Sequence, residues 1–150
     1  MSPPRPLTVA FVNENTLGHV SYLPRFVEEL QRRPELGIRP LPVDVTPLPP
    51  ALAKRADFTI RGLRRFGLDF NVSRWRRLAS RHAADQLEAL RREHRLHAVV
   101  VNTQSVALNL VGVATELPVF VCLDATFEQL QRSRWFAANT LARWLTPFTL

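Results

Sequence analysis

The sequence predicts an α/β protein with a parallel sheet and helices on both of its faces. Three observations predict it. Short β-branched runs, "LTVAFVN", "HAVVVN" and "PVFVCLD", alternate with segments of helical periodicity. These runs are apolar at nearly every position, as strands covered on both faces are. No repeat or low-complexity tract interrupts the 150 residues, a length suited to one core. Right-handed crossovers between such strands build a doubly wound, Rossmann-like fold, with residues 1–150 as one domain.

The elements follow in order. Residues 7–13 read as a buried strand and 20–33 as a helix with Leu23, Phe26, Val27 and Leu30 on one stripe. Ser21 suits its N-cap, which sets Pro24 in the first turn. Residues 38–45 form a second strand, and Pro40 and Pro42 assign it to a sheet edge. Residues 52–70 hold one or two short helices. A longer helix, 72–94, is capped by Ser73, with Trp75, Leu78, Ala79, Ala83, Leu87 and Leu90 on its apolar stripe. The third strand covers 97–102, a buried helix 105–116, the fourth strand 117–124 and a last helix 126–145. The final "TPFTL" resumes an apolar pattern without a partner, which predicts a fragment of a longer protein.

Composition narrows the setting. The single Cys122 excludes an internal disulfide and reads as an inert thiol inside a buried strand. No stretch is long enough to span a bilayer, and "MSPPRP" lacks the apolar region of a signal peptide. The expectation is a cytoplasmic protein, bound at most peripherally to the inner face of the membrane. Nineteen of the 20 basic residues are arginine. Residues 54–95 hold twelve basic and five acidic side chains, which accounts for the whole net charge of +7.

Three of the strands end in polar tips. The first runs into Asn13-Glu14-Asn15-Thr16-Leu17-Gly18-His19, the third into Asn102-Thr103-Gln104-Ser105 and the fourth into Asp124-Ala125-Thr126. In a parallel sheet these tips share one edge, where doubly wound folds bind ligands at the point of strand-order reversal. If the second and third strands flank the first, that point falls between the first and third. Thr103, Ser105, Asp124 and Thr126 taken singly read equally well as helix caps. Their coincidence favours a site. The chain has no G-x-G-x-x-G, no P-loop and no G-x-S-x-G. His94 and His97 lack zinc-ligand spacing and read as surface residues, and His82 as a packing or rim residue. No metal site is expected.

Taken together, "VAFVNENTLGHVSYLPRFVEEL", "HAVVVNTQSVALNL" and "PVFVCLDATFEQL" resemble the N-terminal domain of family 4 glycosyltransferases, which have the two-domain GT-B architecture. The resemblance covers most of the chain and is weakest over 46–96. It implies the acceptor-side half of an enzyme that transfers a sugar from a nucleotide-sugar donor to a glycan or lipid acceptor, with no further cofactor. It places Gly18, His19 and Asn13 beside the donor phosphates. It places Thr103, Gln104, Ser105, Asp124 and Thr126 along the acceptor cleft. It names no catalytic residue beyond the candidate His19. The loop departs from the family's Gly-Gly pair with Leu17-Gly18, and the donor domain with its paired glutamates is absent, so the 150-residue chain is expected to be inactive alone.

Arg61, Arg64, Arg65, Arg74, Arg76 and Arg77 interleave with Phe, Leu and Trp, as on a helix that lies on an anionic membrane surface. A solvated arginine-rich face is the plainer alternative. Two further readings stand beside the transferase: a non-catalytic sugar- or nucleotide-binding module, and a basic nucleic-acid-binding domain. The second is disfavoured because the only basic cluster lies in one insert and carries no reading motif.

Overall fold

The computed structural model describes residues 6–15, 19–56 and 70–122 of the chain. In order they form β1 (Leu7–Asn13), α1 (His19–Arg32), β2 (Ile38–Asp44), α2 (Pro50–Ala56), α3 (Phe70–Glu93), β3 (Ala98–Val101), α4 (Val111–Ala114) and β4 (Val119–Val121). The four strands pair in parallel in the order β2-β1-β3-β4. This is the doubly wound, Rossmann-like α/β arrangement that the strand pattern predicts.

Alternation along the strands divides the apolar residues into two cores. Val9 and Phe11 of β1 meet Leu23, Val27 and Leu30 of α1, flanked by Ala98 and Val100. Ala10 and Val12 face the other way and join Val43, Val99 and Val101. That second face is covered by Ala79, Ala83 and Leu87 of α3 and by Val106, Leu110 and Val113 after β3. Right-handed crossovers that run in opposite directions from the sheet centre place their helices on opposite faces, as here. Each such fully buried Val or Leu stabilises the fold by about 1.5–3 kcal/mol, so both faces have their own reason to form.

The two ends of β2 explain its place. Gly37 takes a φ of 65° after a 3-10 turn and sends its carbonyl to the Leu7 N–H at 2.7 Å, which starts the register. A β-carbon at that φ would be strained, so glycine is required there. Val45 N–H bonds back to Asn13 O, so the odd-numbered N–H groups of β2 point at β1. Pro40, which is buried, and Pro42, which is exposed, therefore stand where their nitrogens face away from β1. No ladder bond is lost, and the edge is left short of donors. At the other end of the sheet, Val99 N–H bonds to Pro118 O and Cys122 N–H to Val101 O. This parity leaves the N–H groups of Val119 and Val121 pointing away from β3.

Several expected boundaries move. Helix α1 starts at His19, so Ser21 lies inside it and Pro24 is its sixth residue rather than part of the first turn. Phe26 is 43% exposed and packs edge-on against Phe11 at 5.9 Å instead of joining the buried stripe. Helix α3 starts at Phe70, so Ser73 is internal and not a cap. The continuous helix expected over 105–116 is a 3-10 turn at Gln104–Val106 followed by the single-turn α4. The reason is a captured donor. The N–H of Asn109 goes to the buried Ser80 hydroxyl at 2.6 Å, so it is unavailable to the helical ladder. Cys122 is exposed, not a core thiol, because β4 is an outer strand on which Phe120 and Val121 are also exposed. The expected helix 126–145 lies outside the described residues. Among the described residues no helix is long and apolar enough to cross a membrane.

Candidate functional site

The strand order reverses between β1 and β3, and the polar tips of these two strands meet there. Asn102 follows β3 directly and is 2% exposed. Its backbone N–H continues the ladder to Val12 O at 3.1 Å. Its side chain then turns to the β1 loop. Oδ1 accepts the Glu14 N–H at 3.0 Å, while Nδ2 donates to Asn13 Oδ1 at 2.6 Å and to Glu14 O at 3.3 Å. One amide thus closes both backbone groups of Glu14. That answers why a buried strand ends in a polar residue: the loop beside it has donors and acceptors that burial would otherwise leave unpaired.

The network extends to both sides. Toward β2, Asn13 Nδ2 donates to Asp44 Oδ1 at 3.1 Å and also to Asn15 Oδ1. Asn15 Nδ2 reaches the same Asp44 oxygen at 3.2 Å and Thr46 O at 3.1 Å, and Asn15 N–H donates to Thr46 Oγ1 at 2.8 Å. Away from β2, the Ser105 hydroxyl donates to Glu14 Oε2 and lies 3.0 Å from Thr103 Oγ1. Thr103 caps the 3-10 turn by accepting Ser105 N–H at 3.4 Å. The cap and the site readings of Thr103 and Ser105 therefore hold together, not as alternatives. Outside this chain of contacts, Gln86 of α3 donates to Asp44 O at 3.3 Å and pairs with His82 at 2.8 Å. Gln86 thus ties α3 to the end of β2, and His82 is its half-buried neighbour one turn earlier on the same helix.

Chemically the cluster is a row of amides and hydroxyls carrying two carboxylates, one buried (Glu14) and one exposed (Asp44). Such groups suit a ligand rich in hydroxyls. Among the described residues no group of three or more His, Cys, Asp or Glu could hold a metal ion. His97 lies at the opposite end of the strands. Its Nδ1 accepts the Thr8 N–H at 3.0 Å and its own N–H bonds to Thr8 O at 2.8 Å, so it staples β3 to β1 and is not a plain surface residue.

Of the residues singled out from sequence, Asn13, Thr103 and Ser105 converge in this network, and Gln104 stands exposed beside them. His19 opens α1. Gly18, Asp124, Thr126, Arg61, Arg64 and Arg65 lie outside the described residues. Arg74, Arg76 and Arg77 are on α3, well along the chain from the strand tips, with Arg74 and Arg77 exposed. Sequence reasoning quoted Glu14, Asn15 and Asn102 within the tips but did not select them, and it passed over Asp44 and Thr46. The signal for Asp44 was its position: it ends β2 level with Asn13, its partner in the register. No family model, curated protein or solved structure gives a significant match to the chain.

Proposed function

We propose that the chain is the acceptor-side half of a glycosyltransferase of the GT-B type, working with a nucleotide-sugar donor and a glycan or lipid acceptor. One observation carries this reading: the tips of β1 and β3 form a continuous hydrogen-bonded rim at the strand-order reversal. Doubly wound folds bind ligands at that position. The rim's amides, hydroxyls and carboxylates match a sugar better than they match an apolar ligand. The resemblance of the three strand-to-loop segments to the family supplies the reaction class. The reading assigns transfer to a parent enzyme and none to these 150 residues alone.

Ligand-detected NMR on the purified chain tests it. Binding of a neutral sugar or a nucleotide sugar, lost on Asn102→Ala with helix content retained, is the expected result. Sugar turnover by the isolated chain would refute the assignment to a half-enzyme. Binding of neither ligand class would refute the site.

A second reading concerns partners. Arg74, Arg77 and Arg81 are exposed on α3 at helical spacing and form a basic stripe. We propose that this stripe meets an anionic membrane surface peripherally. Sedimentation with vesicles decides it: retention on anionic but not neutral vesicles supports the proposal, and equal recovery in the supernatant removes it.

A further inference from the structure

We infer that the Thr103–Ser105 side of the crevice selects its ligand by hydrogen-bond polarity and takes a group that donates a proton, the free hydroxyl of a neutral sugar; this rests on the switch-point reading above. A hydroxyl has one proton and two lone pairs. Ser105 Oγ gives its proton to Glu14 Oε2. In the 3.0 Å contact between the two hydroxyls, Thr103 is then the donor and Ser105 the acceptor. Thr103 Oγ1 in turn accepts the Ser105 N–H. Both protons are committed inside the cluster, and each oxygen keeps one lone pair.

These two residues are half-buried at the strand tips, whereas Glu14 is only 7% exposed. Glu14 is therefore a positioning residue. Its backbone is held at both ends by Asn102, and its carboxylate sets which way the Ser105 and Thr103 protons point. A sugar hydroxyl finds acceptors ready for its proton. An ether oxygen or a fully ionised sulfate finds lone pairs facing its own.

The test follows the Thr103 and Ser105 amide shifts of the full chain during titration with methyl α-glucoside, its per-O-methylated counterpart and inorganic sulfate. The glucoside is expected to move both amides. The other two probes bind about fivefold more weakly or less, the effect of one hydrogen bond. In Glu14→Gln the side-chain N–H donates to Ser105 Oγ and frees its proton, so the preference for the free hydroxyl disappears. Ser105→Ala, at a half-buried position, removes the acceptor and abolishes the preference by a separate route. Equal binding of the glucoside and its methylated form in the parent chain overturns the inference, as does a preference that survives both variants. A glucoside that moves neither amide overturns the switch-point reading itself, so the two failures are distinguishable.

Discussion

Replacing Asn102 by aspartate changes one NH₂ group to an oxygen and almost nothing in volume. The effect follows from three hydrogen bonds. The bond from Glu14 N–H to Oδ1 survives, but the two donated by Nδ2, to Asn13 Oδ1 and Glu14 O, become oxygen-to-oxygen contacts. Leaving a buried acceptor unpaired costs about 1–3 kcal/mol, and the two losses share one side chain, so about 3 kcal/mol together is reasonable. Small domains are stable by about 5–15 kcal/mol, so the variant folds with a visible deficit.

The deficit must also depend on pH. The new carboxyl is buried against acceptors, which raises its folded pKa above the unfolded value of about 3.9. A raised folded pKa means that the folded state holds the extra proton. The stabilising O–H donor is therefore present below about pH 4 and lost as pH rises through the folded pKa. Urea unfolding followed by circular dichroism, with parent and Asn102→Asp compared at pH 4, 5, 6 and 7, reads this directly. The expected gap is about 3 kcal/mol at pH 7 and about 1–2 kcal/mol at pH 4, where the protonated carboxyl replaces one of the two lost donors. A gap within about 0.5 kcal/mol at pH 7, or one that does not change with pH, would refute the hydrogen-bond accounting at this crevice.

Other expectations follow from single features. Ser80→Ala leaves the Asn109 N–H without its acceptor and should cost about 1–2 kcal/mol, with faster amide exchange at Asn109; an unchanged exchange rate there contradicts the assigned role. Pro42→Val restores an outward donor at an exposed position of β2 and should raise the chain's tendency to aggregate in concentration-dependent light scattering, with little change in its unfolding midpoint. Cys122 is exposed, so a thiol reagent should label the folded chain at one thiol per molecule without denaturant; protection until unfolding would contradict its placement. Arg91 bonds to Glu116 and also faces Glu88, which raises its pKa above the ordinary guanidinium value. A raised pKa keeps that contribution present below the unfolded value, so Arg91→Gln should alter stability equally at pH 6 and pH 9.

The architecture was legible because its causes are local and repetitive. Val99 and Val101 are fully buried on one face while Val100 packs on the other, and such a run admits no strand with a wet side. Pro40 and Pro42 announced an edge because they cannot donate. The convergence of the first and third tips was legible as a conditional, and the strand order met the condition. What the sequence did not disclose depends on partners distant in the chain. Nothing near residue 109 says that a serine 29 positions earlier will take its N–H and break the helix. Asn102 read as one polar residue among four until the β1 loop was seen to close on it from 88 positions away. The exposure of Phe120 and Cys122 likewise follows from lateral position in the sheet, which hydrophobicity does not encode.

The two flanks of the sheet are not equivalent in what they permit. With two amide protons missing, the β2 flank resists accretion, whereas on the β4 flank the N–H groups of Val119 and Val121 point away from β3 and can donate. The crevice lies between β1 and β3, with one strand separating it from either flank. A strand paired to the outer side of β4 would therefore be separated from β1 by β3 and β4, apart from the Asn13–Asn102 junction.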